Sequence, residues 1–189
     1  MKNKTRCTWC EKDDLYRDYH DKEWGIPVYD DKKLFEFLIL ETFQAGLSWY
    51  TVLSKRENFK KAFAYFDFEK VAKFDENKIQ QLMQDAGIIR NQLKIRAAVT
   101  NAIAFIKIRE EFGSFSTYIW AFVDGKPIDN KPKTLKEVPA FTPLSDAISK
   151  DLKKRGFKFV GTTVVYAHMQ ATGMVNDHIL DCFTRTLGS

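Results

Sequence analysis

The fold class that this 189-residue sequence predicts is all-α, and three observations predict it. The stretch Leu34–Leu40 is apolar at nearly every position, which marks a helix buried over most of its circumference rather than along one stripe. Asn91–Phe112 places Leu93, Ala97, Ile103, Phe105 and Ile106 in the pattern of a long amphipathic helix. The one run with strand composition, Phe157–Tyr166, has no second run to pair with, so it reads as a short hairpin leading into another helix.

Residues 1–29 hold Cys7, Trp9, Cys10, Tyr16, Tyr19, His20 and Trp24, a density of special side chains that requires docking on a body. Asp30–Phe63 then reads as two helices meeting at a corner. Gly46 ends the first, Ser48 caps the second, and Leu47 with Val52 can form a hydrophobic staple across the junction. Asp67 and Asp75 stand as caps before FEKVAKF and ENKIQQLMQDAG, with Gly87 as a stop. Gly113 ends the long helix, and Ser116 caps a short one that closes at the turn pair Asp124-Gly125. Lys126–Pro143, with prolines at 127, 132, 139 and 143, reads as a surface loop; the segment beyond it is too short to fold alone. Ser145 caps DAISKDLKKR and Gly156 stops it. One domain over residues 1–189, without repeats, is the expected organisation.

Composition narrows the function classes. Hydrophobic residues at 44% with 29% charged are those of a globular chain, and a net charge of +5 is compatible with a polyanionic partner. No signal pattern and no bilayer-spanning apolar run is present, so the expectation is a cytoplasmic protein that does not engage membranes. Three cysteines, an odd number, argue against a disulfide framework.

Glu41 is the residue that does not fit its surroundings. Leu34, Phe37, Leu38 and Ala45 share its helix face, so the carboxylate points among apolar neighbours. A charge there is costly: the fold supplies a donor or cation, or the carboxylate lines a cavity and meets a ligand. The plain alternative is a glutamate that reaches solvent past its neighbours. The corner at Gly46–Ser48 brings Trp49 close, and a buried acid beside an aromatic wall suits something flat that is positively charged or rich in N–H donors.

Two further patterns carry chemistry. His178 and Cys182 are four apart and face one way on a helical turn, while Cys7 and His20 offer a complementary pair; two sulfurs and two imidazoles make a closed tetrahedral zinc site. Cys7 and Cys10 form a C-x-x-C that offers a competing set, Cys7, Cys10, His178 and Cys182, and ordinary buried cysteines are a third reading. Four protein ligands leave no open position, so any such metal is structural and fastens both termini to the body. His168 reads as a packed or surface histidine. In LKKRGFKFVGTT, a basic helix ends at Gly156 and a new helix opens at Gly161, Thr162 and Thr163, where free backbone N–H groups suit a phosphate. Lys153, Lys154, Arg155 and Lys158 add attraction, against the alternative of a solvated basic helix end.

The stretches CTW, YHDKEWGIPVYDDKKLFE, LETFQAGLSWYTVLSKRENF, QDAGIIRNQLKI, LKKRGFKFVGTT and VNDH together resemble the bacterial 3-methyladenine DNA glycosylase I family over almost the whole chain. The resemblance implies a helix-hairpin-helix glycosylase fold and a monofunctional N-glycosylase that removes 3-methyladenine from alkylated double-stranded DNA in base excision repair; nothing in the sequence demands more than a monomer, which is the expected state. It implies Cys7, His20, His178 and Cys182 as ligands of a structural zinc, setting Cys10 aside, with residues 1–29 and 174–189 as the clamped termini. It implies Glu41 as the base-recognising carboxylate; that the same charge stabilises the positive transition state is a further expectation from its chemistry, which makes Glu41 the expected catalytic residue. Tyr16, Tyr19 and Trp49 become walls of the pocket and Trp9 and Trp24 its supports. Arg155, Gly156, Lys158, Gly161, Thr162 and Thr163 become contacts to the DNA backbone. A non-catalytic damaged-DNA-binding module and a purine-binding sensor are the alternative functions.

Overall fold

Short polar side chains open most of the helices, each accepting a hydrogen bond from a backbone N–H of the first turn. Asp13 caps α1 (Asp14–Lys22), Asp30 caps α2 (Asp31–Gln44) and Ser48 caps α3 (Trp49–Leu53). After α4 (Arg56–Ala62), Asp67 caps α5 (Phe68–Val71), Asp75 caps α6 (Glu76–Gln84) and Asn91 caps α7 (Gln92–Phe112). The structure, a computed structural model, describes residues 5–185, so the outermost residues of the two termini expected to be clamped, 1–4 and 186–189, lie outside the described part.

Two caps fall elsewhere than expected. The helix α8 (Phe115–Trp120) is capped by Ser114 rather than Ser116, because the Asp31 carboxylate reaches across from α2 and accepts from the N–H groups of both Phe115 and Ser116. The helix α9 (Pro143–Lys154) is capped by Thr142, and Ser145 is the reciprocal partner of a capping box, with Pro143 in the first turn, where its missing N–H costs nothing. Gly87 lies beyond the end of α6 rather than at it: the helix stops at Gln84, and the Gly87 N–H donates to Asp85 Oδ1 at 2.7 Å.

The core is built around α2, in which every residue from Leu34 to Phe43 is buried, with α7, α8, α10 (Thr162–Ala171) and α3 packed on it. The buried face of α7 is Ile95, Ala98, Ala102, Phe105 and Ile108, a helical spacing of threes and fours. Leu93 and Ile103, expected on that face, are exposed. Leu47 is also exposed instead of stapled against the buried Val52. A cation secures the corner instead. The buried Lys94 on α7 donates from Nζ to the carbonyls of Phe43 at 2.8 Å and Ala45 at 2.6 Å, satisfying orphan acceptors at the end of α2.

The stretch Phe157–Tyr166 forms no strand; it is the hairpin between α9 and α10. Side chains stand in for the missing strand partner. The buried Asn101 donates to the Lys158 carbonyl at 3.0 Å and accepts from its N–H at 2.7 Å, and Ser149 donates to the Val160 carbonyl. The expected long loop before α9 holds a short 3-10 turn at Leu135–Glu137 and a two-residue strand, β1 (Ile128–Asp129). That strand pairs in parallel with β2 (Val175–Asn176), the one departure from the all-α expectation among the described residues. The N-terminal segment lies against the end of α10, where the Gly25 N–H donates to the Gln170 carbonyl and the Val28 N–H to that of Thr172. Gly173 permits that approach: its φ is +68°, and an added Cβ would fall 2.4 Å from backbone atoms of Ile26 and Pro27.

Candidate active site

Four separate parts of the chain meet around Glu41. The 3-10 turn Thr8–Cys10 carries Trp9, α1 carries Tyr16 and Tyr19, the residues after α1 carry Trp24, and α3 opens with Trp49. With Glu41 these side chains line a cavity of about 310 Å³, the size of a flat heterocycle rather than a large cofactor. The rings brace one another: Trp9 lies 4.9 Å from Tyr16 and 5.0 Å from Trp24, and Tyr19 lies 5.2 Å from Trp49, centroid to centroid. Tyr50 holds α1 against α3 by donating to Asp13, the same carboxylate that caps α1.

Glu41 is 3% exposed, and its Oε2 is buried without a hydrogen-bond partner. Burial alone pushes its carboxyl up to about 8. Burial also raises Tyr19, with the nearby Glu41 adding to it, so the phenol stays protonated. The indole Nε1 of Trp49 is likewise buried and unpartnered. The site thus holds an unmet acid and an unmet donor beside electron-rich ring faces, an arrangement that gains most from a cationic, planar guest. A second cavity of about 170 Å³ shares Glu41, Gln44 and Ala167 and runs to Leu47 and Thr163, so Glu41 stands where the two spaces meet.

Behind the aromatic wall, Cys7, His20, His178 and Cys182 converge with their ligand atoms all within 4.8 Å of one another, and all four are buried. They could hold a metal ion. Each histidine is fixed through its other nitrogen: His20 Nδ1 bonds Asp21 Oδ1 at 2.8 Å and His178 Nε2 bonds the Trp24 carbonyl at 3.0 Å. That leaves His20 Nε2 and His178 Nδ1 turned toward the sulfurs. The hydrogen bond between the two thiols raises Cys7 and lowers Cys182, so without a cation the pair keeps its proton on Cys7 and gives it up first from Cys182. Cys10 is outside the cluster, its Sγ donating to the Cys7 carbonyl at 3.1 Å. All three cysteines are free thiols. His168 is packed in the interior without a partner for either ring nitrogen, and burial lowers it to about 4.

The hairpin residues lie together at the junction of α9 and α10. Gly161 precedes α10 with no side-chain cap, so the first N–H groups of that helix are left to other acceptors. Arg155 is already engaged, donating to Asp151 and Glu111 at 2.7 Å each, and Thr162 Oγ1 bonds Ser145 at 2.8 Å.

A family model described as methyladenine glycosylase matches residues 9–185. The chain is 52% identical to DNA-3-methyladenine glycosylase 1 of Escherichia coli over 177 residues, covering 94% of this chain and 95% of that protein. It is 50% identical to DNA-3-methyladenine glycosylase of Haemophilus influenzae, covering 96% and 98%. The chain belongs to the methyladenine glycosylase family. Its fold matches that of 3-methyladenine DNA glycosylase I from Staphylococcus aureus, solved for its recognition of 3-methyladenine, with a TM-score of 0.93 at 39% identity, over 95% of this chain and 96% of that one.

In this methyladenine glycosylase family member, five residues of the cavity wall were not among the expected ones: Gln44, Leu135, Val138, Ala167 and Gln170. Gln44 was within reach of pattern reasoning, since it follows Glu41 by three on one helix face. Leu135 and Val138 sit in a proline-bearing loop with no periodicity to read, and Ala167 and Gln170 needed the docking of α10 on α2. Among the described residues, no helix is long and apolar enough to cross a membrane.

Proposed function

We propose that this chain is a DNA-3-methyladenine glycosylase that hydrolyses the N-glycosidic bond of 3-methyladenine turned out of alkylated double-stranded DNA. The observation that carries this reading is Glu41, a buried carboxyl group without a partner, in an aromatic cavity of a chain from this family. Methylation at N3 makes the base cationic in the nucleotide. The bond from C1′ to N9 then breaks with its electron pair going to the base, which needs little help from an acid. Water adds at C1′ and releases one proton to bulk solvent, so a cationic nucleotide and water become a neutral base, a C1′ hydroxyl and H+.

Tyr16, Tyr19 and Trp49, supported by Trp9 and Trp24, receive the electron-poor ring, and Glu41 gives up its proton when the cation arrives, then accepts hydrogen bonds from the adenine edge. Its charge also stabilises the positive sugar in the transition state, which makes it the catalytic residue of the proposal. Extrusion of the base costs roughly a few kcal/mol and is easiest at damaged pairs. In this reading α9, the hairpin and α10 form a helix-hairpin-helix whose Gly156, Lys158, Gly161, Thr162 and Thr163 hold the DNA backbone without reading sequence, with Arg155 shaping the hairpin through its ion pairs.

The Cys7, His20, His178 and Cys182 cluster holds zinc in this proposal. A tetrahedral zinc with bonds of about 2.3 Å to sulfur and about 2.0 Å to nitrogen has sulfur to nitrogen edges of about 3.5 Å. The spacings here are 3.5 Å from Cys182 to each histidine and 3.7 Å from Cys7 to His178, which supports the fit. Zinc there ties residue 7 to residue 182 and takes no part in the reaction. The protein acts as a cytoplasmic monomer.

The test is release of bases from methylated DNA by the wild type beside Glu41→Gln and Glu41→Ala. Release of 3-methyladenine by the wild type, reduced about 100-fold or more in both variants, is expected. No release by the wild type sinks the reading. Loss of free-base affinity in Glu41→Gln with an unchanged single-turnover rate removes the catalytic part alone.

A further inference from the structure

Gln170, on α10, lines the cavity together with Glu41. Its amide is not free to turn. Nε2 donates to Asp177 Oδ2 at 2.8 Å, and the buried Asp177 also accepts from the Tyr166 hydroxyl and from Asn130 Nδ2, each at 2.7 Å. A carboxylate only accepts, so reversing the amide would set the oxygen of Gln170 against an oxygen of Asp177. Oε1 is left without a protein partner among the described residues. We propose that Gln170 is a specificity-determining residue: its carbonyl, locked in one orientation by Asp177, selects methylated purines with an amino group at C6 over those with an oxygen there.

The inference rests on the reading of the cavity as a methylpurine site and adds what that site discriminates. A 6-amino group donates and meets Oε1 well, whereas a 6-oxo group sets acceptor against acceptor and leaves both unmet. Glu41 cannot make that distinction by itself. A carboxyl group that titrates near neutrality can accept from an amino group or donate to an oxo group. Gln170 has no such choice, because its donor is already committed.

The probes are free 3-methyladenine and free 3-methylhypoxanthine, which exchange an amino group at position 6 for an oxo group with one proton moved to a ring nitrogen, bound to the full chain in a calorimeter. The wild type should favour 3-methyladenine by about 10- to 100-fold. Gln170→Leu should narrow the ratio by about tenfold. Asp177→Asn should narrow it too, since a carboxamide at 177 can donate and lets the Gln170 amide invert. Each ratio is taken within one protein, so a general loss of fold or affinity does not move it. A ratio unchanged within about twofold in Gln170→Leu overturns the proposal, as does a wild type that binds both bases equally or binds neither. A wild type that shows the ratio but releases no base from methylated DNA sinks the glycosylase reading and leaves this inference standing.

Discussion

Glu36 and Glu41 lie on one buried helix, at 6% and 3% exposure, and their surroundings treat them in opposite ways. Glu36 Oε1 accepts from Arg56 Nε at 2.7 Å, and Lys33 Nζ approaches Oε2 at 3.2 Å. Arg56 in turn holds Glu23 with two bonds of 2.7 and 2.8 Å. Burial works against the charge on Glu23, but Arg56 and Lys33 outweigh it and pull the carboxyl down to about 2. Glu41 has the burial and none of the partners, so it rises to about 8. One end of α2 has its charges matched within the fold, and the other keeps an uncompensated acid beside a cavity. That contrast separates a structural network from a site held open for a ligand.

The sharpest way to break the comparison is Arg56→Met, which takes the buried guanidinium from Glu23 and Glu36, leaves them Lys33 alone, and should cost about 3–5 kcal/mol in urea unfolding at neutral pH. A loss under about 1 kcal/mol would mean that the Glu36 end is no better matched than the other. Glu41→Gln should act in the opposite direction. The folded pKa of about 8 lies above the ordinary 4.5, so wild-type stability falls as pH rises from 4.5 through 8, because the unfolded chain releases that proton first. The glutamine variant escapes this fall. It should match the wild type near pH 4 and exceed it by on the order of 3 kcal/mol near pH 9, read from melting curves across pH. Equal curves at both pH values would show that Glu41 finds a partner in solution.

Lys94→Met extends the contrast to a buried cation matched by carbonyls alone. It should cost about 1–3 kcal/mol, because the Phe43 and Ala45 carbonyls lose their donor at the corner that leads to Trp49. Excision should fall with it. The smallest effect belongs to Cys10→Ser, which alters a thiol outside the four-residue cluster. Stability should change by less than about 1 kcal/mol and metal content, measured by elemental analysis, should not change. A drop in metal content would reinstate Cys10 as a ligand.

Much of the site was legible because its chemistry is local. A glutamate in the apolar run LFEFLILETF of α2 announces itself by spacing, and Ser48 and Gly46 mark the corner that brings Trp49 near it. The caps Asp67, Asp75 and Asn91 were equally readable, since a capping side chain bonds to its own helix. Ser116 misled because the acceptor for its N–H comes from Asp31, far away in sequence. Leu47 misled because Lys94, on another helix, fastens the corner that a staple would have closed.

By itself the sequence determined the helices, the buried acid near Trp49 and the shared face of His178 and Cys182, because periodicity, capping and i, i+4 spacing are properties of neighbouring residues, whereas the remaining pocket walls and the choice of Cys7 over Cys10 came only from the family resemblance. Only the tertiary structure decided which groups go without partners. Whether Glu41 is compensated like Glu36, whether Cys10 joins Cys7, and which way the Gln170 amide turns all depend on side chains brought from distant segments. Burial and hydrogen bonding are settled by packing in space, and no local rule contains them.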